Sequence, residues 1–169
     1  MLWPGVWVRL ISGDRLTLFT RPTKTRNGVF GTELAGVILG LDCAGAQAHF
    51  LAERCREQGG AMVVAVQSAD CLRKAVERSG AAALSSAIIT SYTYRHQCLA
   101  DFKRVFGSGE DVAAGAGHRS NKSQRRYASP TQGRSSRGLL QVFNRDHPDL
   151  AELIGETAYS VLSKHLHLP

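Results

Sequence analysis

The sequence predicts an α+β protein, mainly helical, in which a small antiparallel three-stranded sheet is followed by a helical bundle. Three observations lead there. VWVRLISGDRLTLF, residues 6–19, alternates apolar and polar side chains and breaks at Ser12-Gly13-Asp14, the pattern of two strands joined by a tight turn. From Ala44 onward the apolar spacing lengthens to that of a helix. Near the end, Pro148 to about His165 carries an apolar stripe at Leu150, Leu153, Ile154, Val161 and Leu162. With 169 residues, 43% hydrophobic and 21% charged, the chain suits one globular domain with a sizeable core.

Each element follows from local chemistry. TRPTKTRNG, Thr20 to Gly28, reads as a second turn leading into a third short strand, so the sheet is expected over residues 5–33. AGAQAHFLAERCREQ and SADCLRKAVERSG read as helices, the second capped by Ser68 and stopped by Gly80. Between them AMVVAV suits either a buried strand or a helix extension. Tyr94 to Phe106 is the strongest helix, and Asp111 to Ala116 a shorter one ending in glycines. Ser120 is expected to cap a further helix that carries Tyr127. SPTQGRSSRG, Ser129 to Gly138, has linker chemistry. The expected organisation is a domain over 1–127, with its helical part at 44–127, a linker over 128–147 and a C-terminal helix over 148–169.

Charge is uneven along the chain. The formal net charge is +7, and the segment from Val112 through Arg145 holds seven Lys and Arg and no Asp or Glu. A second basic block holds Arg9, Arg15, Arg21, Lys24 and Arg26 against Asp14 alone. Two acid-poor segments suit a polyanion, most commonly nucleic acid, although a basic surface also serves solubility alone. Cys43, Cys55, Cys71 and Cys98 lack zinc-knuckle spacing and follow no secretory leader, so they read as reduced core residues of a cytoplasmic protein. Only His165 and His167 form a close histidine pair, which argues against a metal site. No apolar run has the length of a membrane span.

The strongest helix holds an anomaly. Its apolar face runs Cys98, Leu99, Phe102, Phe106, and projecting that stripe back one turn places Arg95 on it. A partly buried guanidinium needs an anion, either a carboxylate such as Asp101 or Glu110 or a phosphate.

TSYTYRHQCLADFK is followed by His118 in AGH, 23 residues after Arg95, and by Tyr127 in QRRY nine residues later. This resembles the catalytic core of the tyrosine recombinase (phage integrase) family, whose pattern is His-x-x-Arg, Leu-Gly-His and a nucleophilic tyrosine. The flavour is that of bacterial site-specific integrases of mobile elements with an RHQ box. The early strand pair resembles the family's own, whose turn carries a catalytic lysine, and Lys24 is the match. The resemblance spans roughly Gly5 to Tyr127.

It implies site-specific DNA recombination by strand cleavage and rejoining, with double-stranded DNA as partner, self-association on DNA and a cytoplasmic, nucleoid-associated location. Arg95 would neutralise charge gathering on the nonbridging oxygens in the transition state. Tyr127 would attack phosphorus to form a 3′-phosphotyrosyl bond, Lys24 would protonate the departing 5′ oxygen, and His118 would hydrogen-bond the phosphate. The covalent link conserves bond energy, so no cofactor, ATP or metal is implied. Arg119, Lys122, Arg125, Arg126 and Arg26 are the expected contacts to the DNA backbone.

The chain also departs from the pattern. Tyr92 stands where the family usually has histidine, and a phenol is a poor general base near neutral pH. Ala116 replaces a leucine. The family's first arginine lies in a helix just before the strand pair, and Met1 stands only a few residues before that strand. The expectation is therefore a carboxy-terminal part of a recombinase that forms little or no covalent adduct. A DNA-binding remnant without turnover and a basic helical protein that binds RNA or a protein partner are the alternatives.

Overall fold

The hairpin forms where alternation places it. Strands β1 (Val6–Ile11) and β2 (Arg15–Thr20) pair antiparallel from Val6↔Thr20 to Ile11↔Arg15. Between them Ser12 and Gly13 take positive φ values of 53° and 80°, which lets a tight connection follow the strand twist. The computed structural model describes residues 5–22, 32–65, 67–84, 88–107, 109–118, 122, 126–127, 129–134 and 138–166.

The expected three-stranded sheet with a helical bundle is overturned. The sheet has five strands, all antiparallel, in the order β4-β1-β2-β3-β5. Strand β3 (Ala35–Gly40) lies beyond the expected limit of 33, β4 (Ala61–Val64) pairs with β1, and β5 (Leu139–Asn144) pairs with the far side of β3. Tertiary pairing settles the ambiguity of AMVV, whose sequence alone suits strand or helix. The segment 128–147 is not a linker throughout, because its polar, glycine-rich start is followed by LLQVFN, which completes the sheet.

Helices cover both faces of this sheet instead of bundling. On one face, α1 (Ala46–Glu57) sets Ala48, Ala52 and Cys55 against Val8 and Leu16. Beside it, α3 (Ser91–Phe106) and α4 (Glu110–Gly115) bury Leu99, Phe102 and Val112 against Val142. On the other face, Ile11, Phe19, Ile38 and Phe143 meet α5 (Leu150–Ile154) and α6 (Glu156–Leu166). The two-residue period of the strands divides the side chains between these cores. The single C-terminal helix expected over 148–169 is two helices, broken at Gly155 with φ 85°. Of its stripe, Leu150, Leu153, Ile154 and Leu162 are buried, whereas Val161 is 37% exposed.

Helix α2 (Ala69–Ala83) is capped by the Ser68 hydroxyl, as expected, but runs past Gly80 and is exposed along most of its length. Thr90 and Thr93 form a capping box that starts α3 three residues before Tyr94. The cysteines correct another expectation. All four are free, but only Cys55 is buried. Among the described residues no helix is long and apolar enough to cross a membrane, and no group of His, Cys, Asp or Glu is placed to hold a metal ion.

Candidate functional site

Helix α3 carries most of the site, and its rotation differs from the expected one. The buried stripe is Leu99, Ala100, Phe102 and Lys103, which leaves Cys98 and Arg95 exposed. Arg95 therefore stands at the edge of a cleft rather than in the core. Nor does it pair with Asp101, which is engaged by Arg134.

His118 reaches Arg95 because α4 ends in a specific way. Gly117 takes φ 69°, its N–H donates to the Ala114 carbonyl at 3.0 Å, and the His118 N–H donates to the Ala113 carbonyl at 2.8 Å. This is the paired bonding of a Schellman motif, which favours glycine at the left-handed position and turns the next residue off the helix. A side chain at 117 would also meet Pro22 at 2.8 Å. The glycine before the histidine thus has a physical reason.

Arg95 Nη2 lies 2.8 Å from His118 Nε2. A guanidinium only donates, so Nε2 is the acceptor and the ring proton sits on Nδ1. Burial and then the Arg95 charge push the His118 imidazole below its ordinary pKa, which keeps it in this neutral form.

Tyr127 completes the group. Its ring stacks on His118 at 5.5 Å and lies under the Arg95 guanidinium at 5.6 Å, while Tyr92 and His96 flank it at 6.3 and 5.1 Å. Four residues singled out from the sequence, Tyr92, Arg95, His118 and Tyr127, thus converge. Tyr127 itself lies in a bend, and residues 119–121 and 123–125 of the expected helix are outside the described residues. Arg95, His118 and Tyr127 line a cleft of about 660 Å³ whose other side is formed by Thr20, Pro22 and Val37. Lys24, Arg26, Arg119 and Arg125 are outside the described residues, whereas Lys122 and Arg126 are exposed.

Sequence reasoning missed the residues that hold Tyr127 in place. Lys103, only 6% exposed, donates from Nζ to the Tyr127 carbonyl at 3.2 Å, and burial pushes its pKa down. Downstream, Asp101, 8% exposed, accepts from the Arg134 backbone N–H at 2.6 Å, from Arg134 Nη2 at 2.6 Å and from Gln97 Nε2 at 2.9 Å. Gln97 also donates to the Gln132 carbonyl and Arg104 to that of Gly133, so α3 grips the 3₁₀ turn Pro130–Gln132 that follows the tyrosine. One signal was legible: Gln97 and Asp101 are spaced i, i+4.

Burial alone would raise the Asp101 pKa, but the Arg134 and Gln97 hydrogen bonds outweigh it and hold the carboxyl below its ordinary value. A depressed carboxylate contributes stability above its unfolded pKa and loses it as pH falls through the folded value. Asp101→Ala should therefore destabilise the chain by about 2–3 kcal/mol at neutral pH. The difference from the unsubstituted chain should shrink toward about pH 3 in urea unfolding.

No protein-family model, curated protein or solved structure matches this chain.

Proposed function

We propose that the chain binds double-stranded DNA and cleaves and rejoins one strand through Tyr127, in the manner of a tyrosine recombinase. The observation that carries this reading is the Arg95–His118 hydrogen bond of 2.8 Å with the Tyr127 ring packed against both partners at the mouth of a cleft. An arginine fork and a neutral imidazole are donors suited to a phosphodiester, whose charge must be neutralised before any nucleophile can approach. A tyrosine beside them supplies the nucleophile.

The roles follow from the groups. Arg95 would take a nonbridging oxygen, and His118 would donate its Nδ1 proton to the same phosphate. Tyr127 would form the 3′-phosphotyrosyl bond and Lys24 would protonate the 5′ oxygen. Arg126 and Lys122, both exposed, would contact the backbone with Arg119, Arg125 and Arg26. Self-association on DNA and a nucleoid location follow from the same reading. Tyr92 at the usual histidine position favours a second reading, DNA binding without turnover.

Two measurements test the proposal. Affinity for duplex DNA should fall steeply with salt, and reversing Arg125 and Arg126 to Glu should weaken binding to all sequences alike. A binding curve flat in salt would reject the DNA reading. On a nicked trapping substrate, a denaturing gel should show a slow, low-yield protein–DNA adduct that Tyr127→Phe abolishes. An adduct that survives Tyr127→Phe would remove the nucleophile assignment.

A further inference from the structure

We propose that His96 is the base that takes the proton from the Tyr127 hydroxyl, a role moved one turn along α3 from the position held by Tyr92. This rests on the covalent-cleavage reading above. His96 Nε2 is buried and makes no hydrogen bond to a described residue. Leaving a buried nitrogen of this kind without a partner costs stability, and a catalytic role is one reason such a group is kept.

The imidazole lies 5.1 Å from the Tyr127 ring, inclined by 55°. That separation places the two side chains side by side, as a proton acceptor for the phenol must be. Tyr92, four residues earlier on the same face of α3, packs T-shaped on His96 at 4.4 Å. It therefore holds the imidazole rather than accepting the proton itself. His118 is not available for the task, because its Nε2 already accepts from Arg95.

The surroundings fit a base with access to the reacting centre. His96, Tyr127, Arg126 and Thr93 line a recess of about 490 Å³ that shares Tyr127 with the Arg95 cleft. Among the described residues, the titratable and charged groups around the imidazole are Tyr92 and Arg95 from α3, and Arg126 and Tyr127. The α3 acid Asp101 is engaged by Arg134 and does not compete. In the step itself, Nε2 takes the proton as Oη forms its bond to phosphorus. The bond from phosphorus to the 5′ oxygen breaks, its electron pair leaves with that oxygen, and Lys24 supplies the proton. Rejoining returns the imidazolium proton to the phenol.

A nicked duplex with a bridging 5′-phosphorothiolate isolates the step, since a thiolate leaves without protonation. On it, His96→Gln should form adduct more slowly than the unsubstituted protein by about a hundredfold. Raising the pH should restore His96→Gln more than the unsubstituted protein, because hydroxide then supplies the proton acceptor that the variant lacks; a merely structural defect would not respond in this way. His96→Gln reacting at the unsubstituted rate across the pH range would overturn the proposal while leaving the cleavage reading intact. Failure of the unsubstituted protein to form any adduct on this substrate would overturn both. Tyr92→Phe, which keeps the ring that packs on His96, should retain most of the rate, and a loss as large as that of His96→Gln would return the proton-accepting role to Tyr92.

Discussion

On the proposed cleavage reading, replacing Arg95 with alanine should lower the rate of covalent capture on nicked DNA by about a hundred- to a thousandfold, the usual cost of losing one preorganised donor to transition-state charge. The effect is large because Arg95 does two things at once. Its guanidinium reaches the cleft and, through Nη2, fixes the position and tautomer of His118. Alanine removes the charge and leaves Nε2 of His118 without its donor. Arg95→Lys restores the charge but not the planar fork, so it recovers only part of the rate. Duplex affinity should change little in either variant, since one phosphate contact among several would set a small share of binding. A filter-binding curve and a denaturing gel on the same preparations separate the two quantities. Capture by Arg95→Ala at the unsubstituted rate would mean that the arginine is not part of the site.

What the sequence made legible follows the range of the interactions. The first hairpin, the Ser68 cap and helix α3 depend on neighbours a few residues away, and each appears close to where the pattern puts it. The Gly-His pair was visible as a spacing, and its cause is equally local, the left-handed Gly117 that ends α4. By contrast, β5 draws its identity from β3, a hundred or so positions earlier, and its polar, glycine-rich lead-in masks it. Helical periodicity finds a face but fixes its rotation poorly. Lys103 lies four residues after Leu99 and shares its buried side, which the apolar stripe through Cys98 and Phe106 did not reveal. His96 follows Arg95 directly in sequence. Nothing local shows that its Nε2 is buried beside Tyr127, because that depends on how the segment after α4 returns to α3.

Removing residues 148–169 should abolish the cooperative fold. The apolar stripe of that segment packs in cis, where Leu150, Leu153, Ile154 and Leu162 close the core over Ile11, Phe19, Ile38 and Phe143. Burying one Leu or Ile side chain is worth about 1.5–3 kcal/mol, so these four contribute on the order of 6–12 kcal/mol. That equals most or all of the stability of an ordinary domain, about 5–15 kcal/mol. The truncated chain also loses the Glu152 carbonyl that accepts from Arg9, a strand arginine otherwise left over the exposed sheet face. A chain ending at His147 should bind a hydrophobic dye and unfold without a sigmoidal urea transition. Ile154→Ala, which keeps both helices, should cost about 2–5 kcal/mol in the same experiment. Val161→Ser should change stability by no more than about 0.5 kcal/mol, since that side chain is 37% exposed on the outer side of α6. A truncated chain that stays monomeric with a native-like transition would mean that the sheet face is stable uncovered and that α5 and α6 are free to serve another protomer.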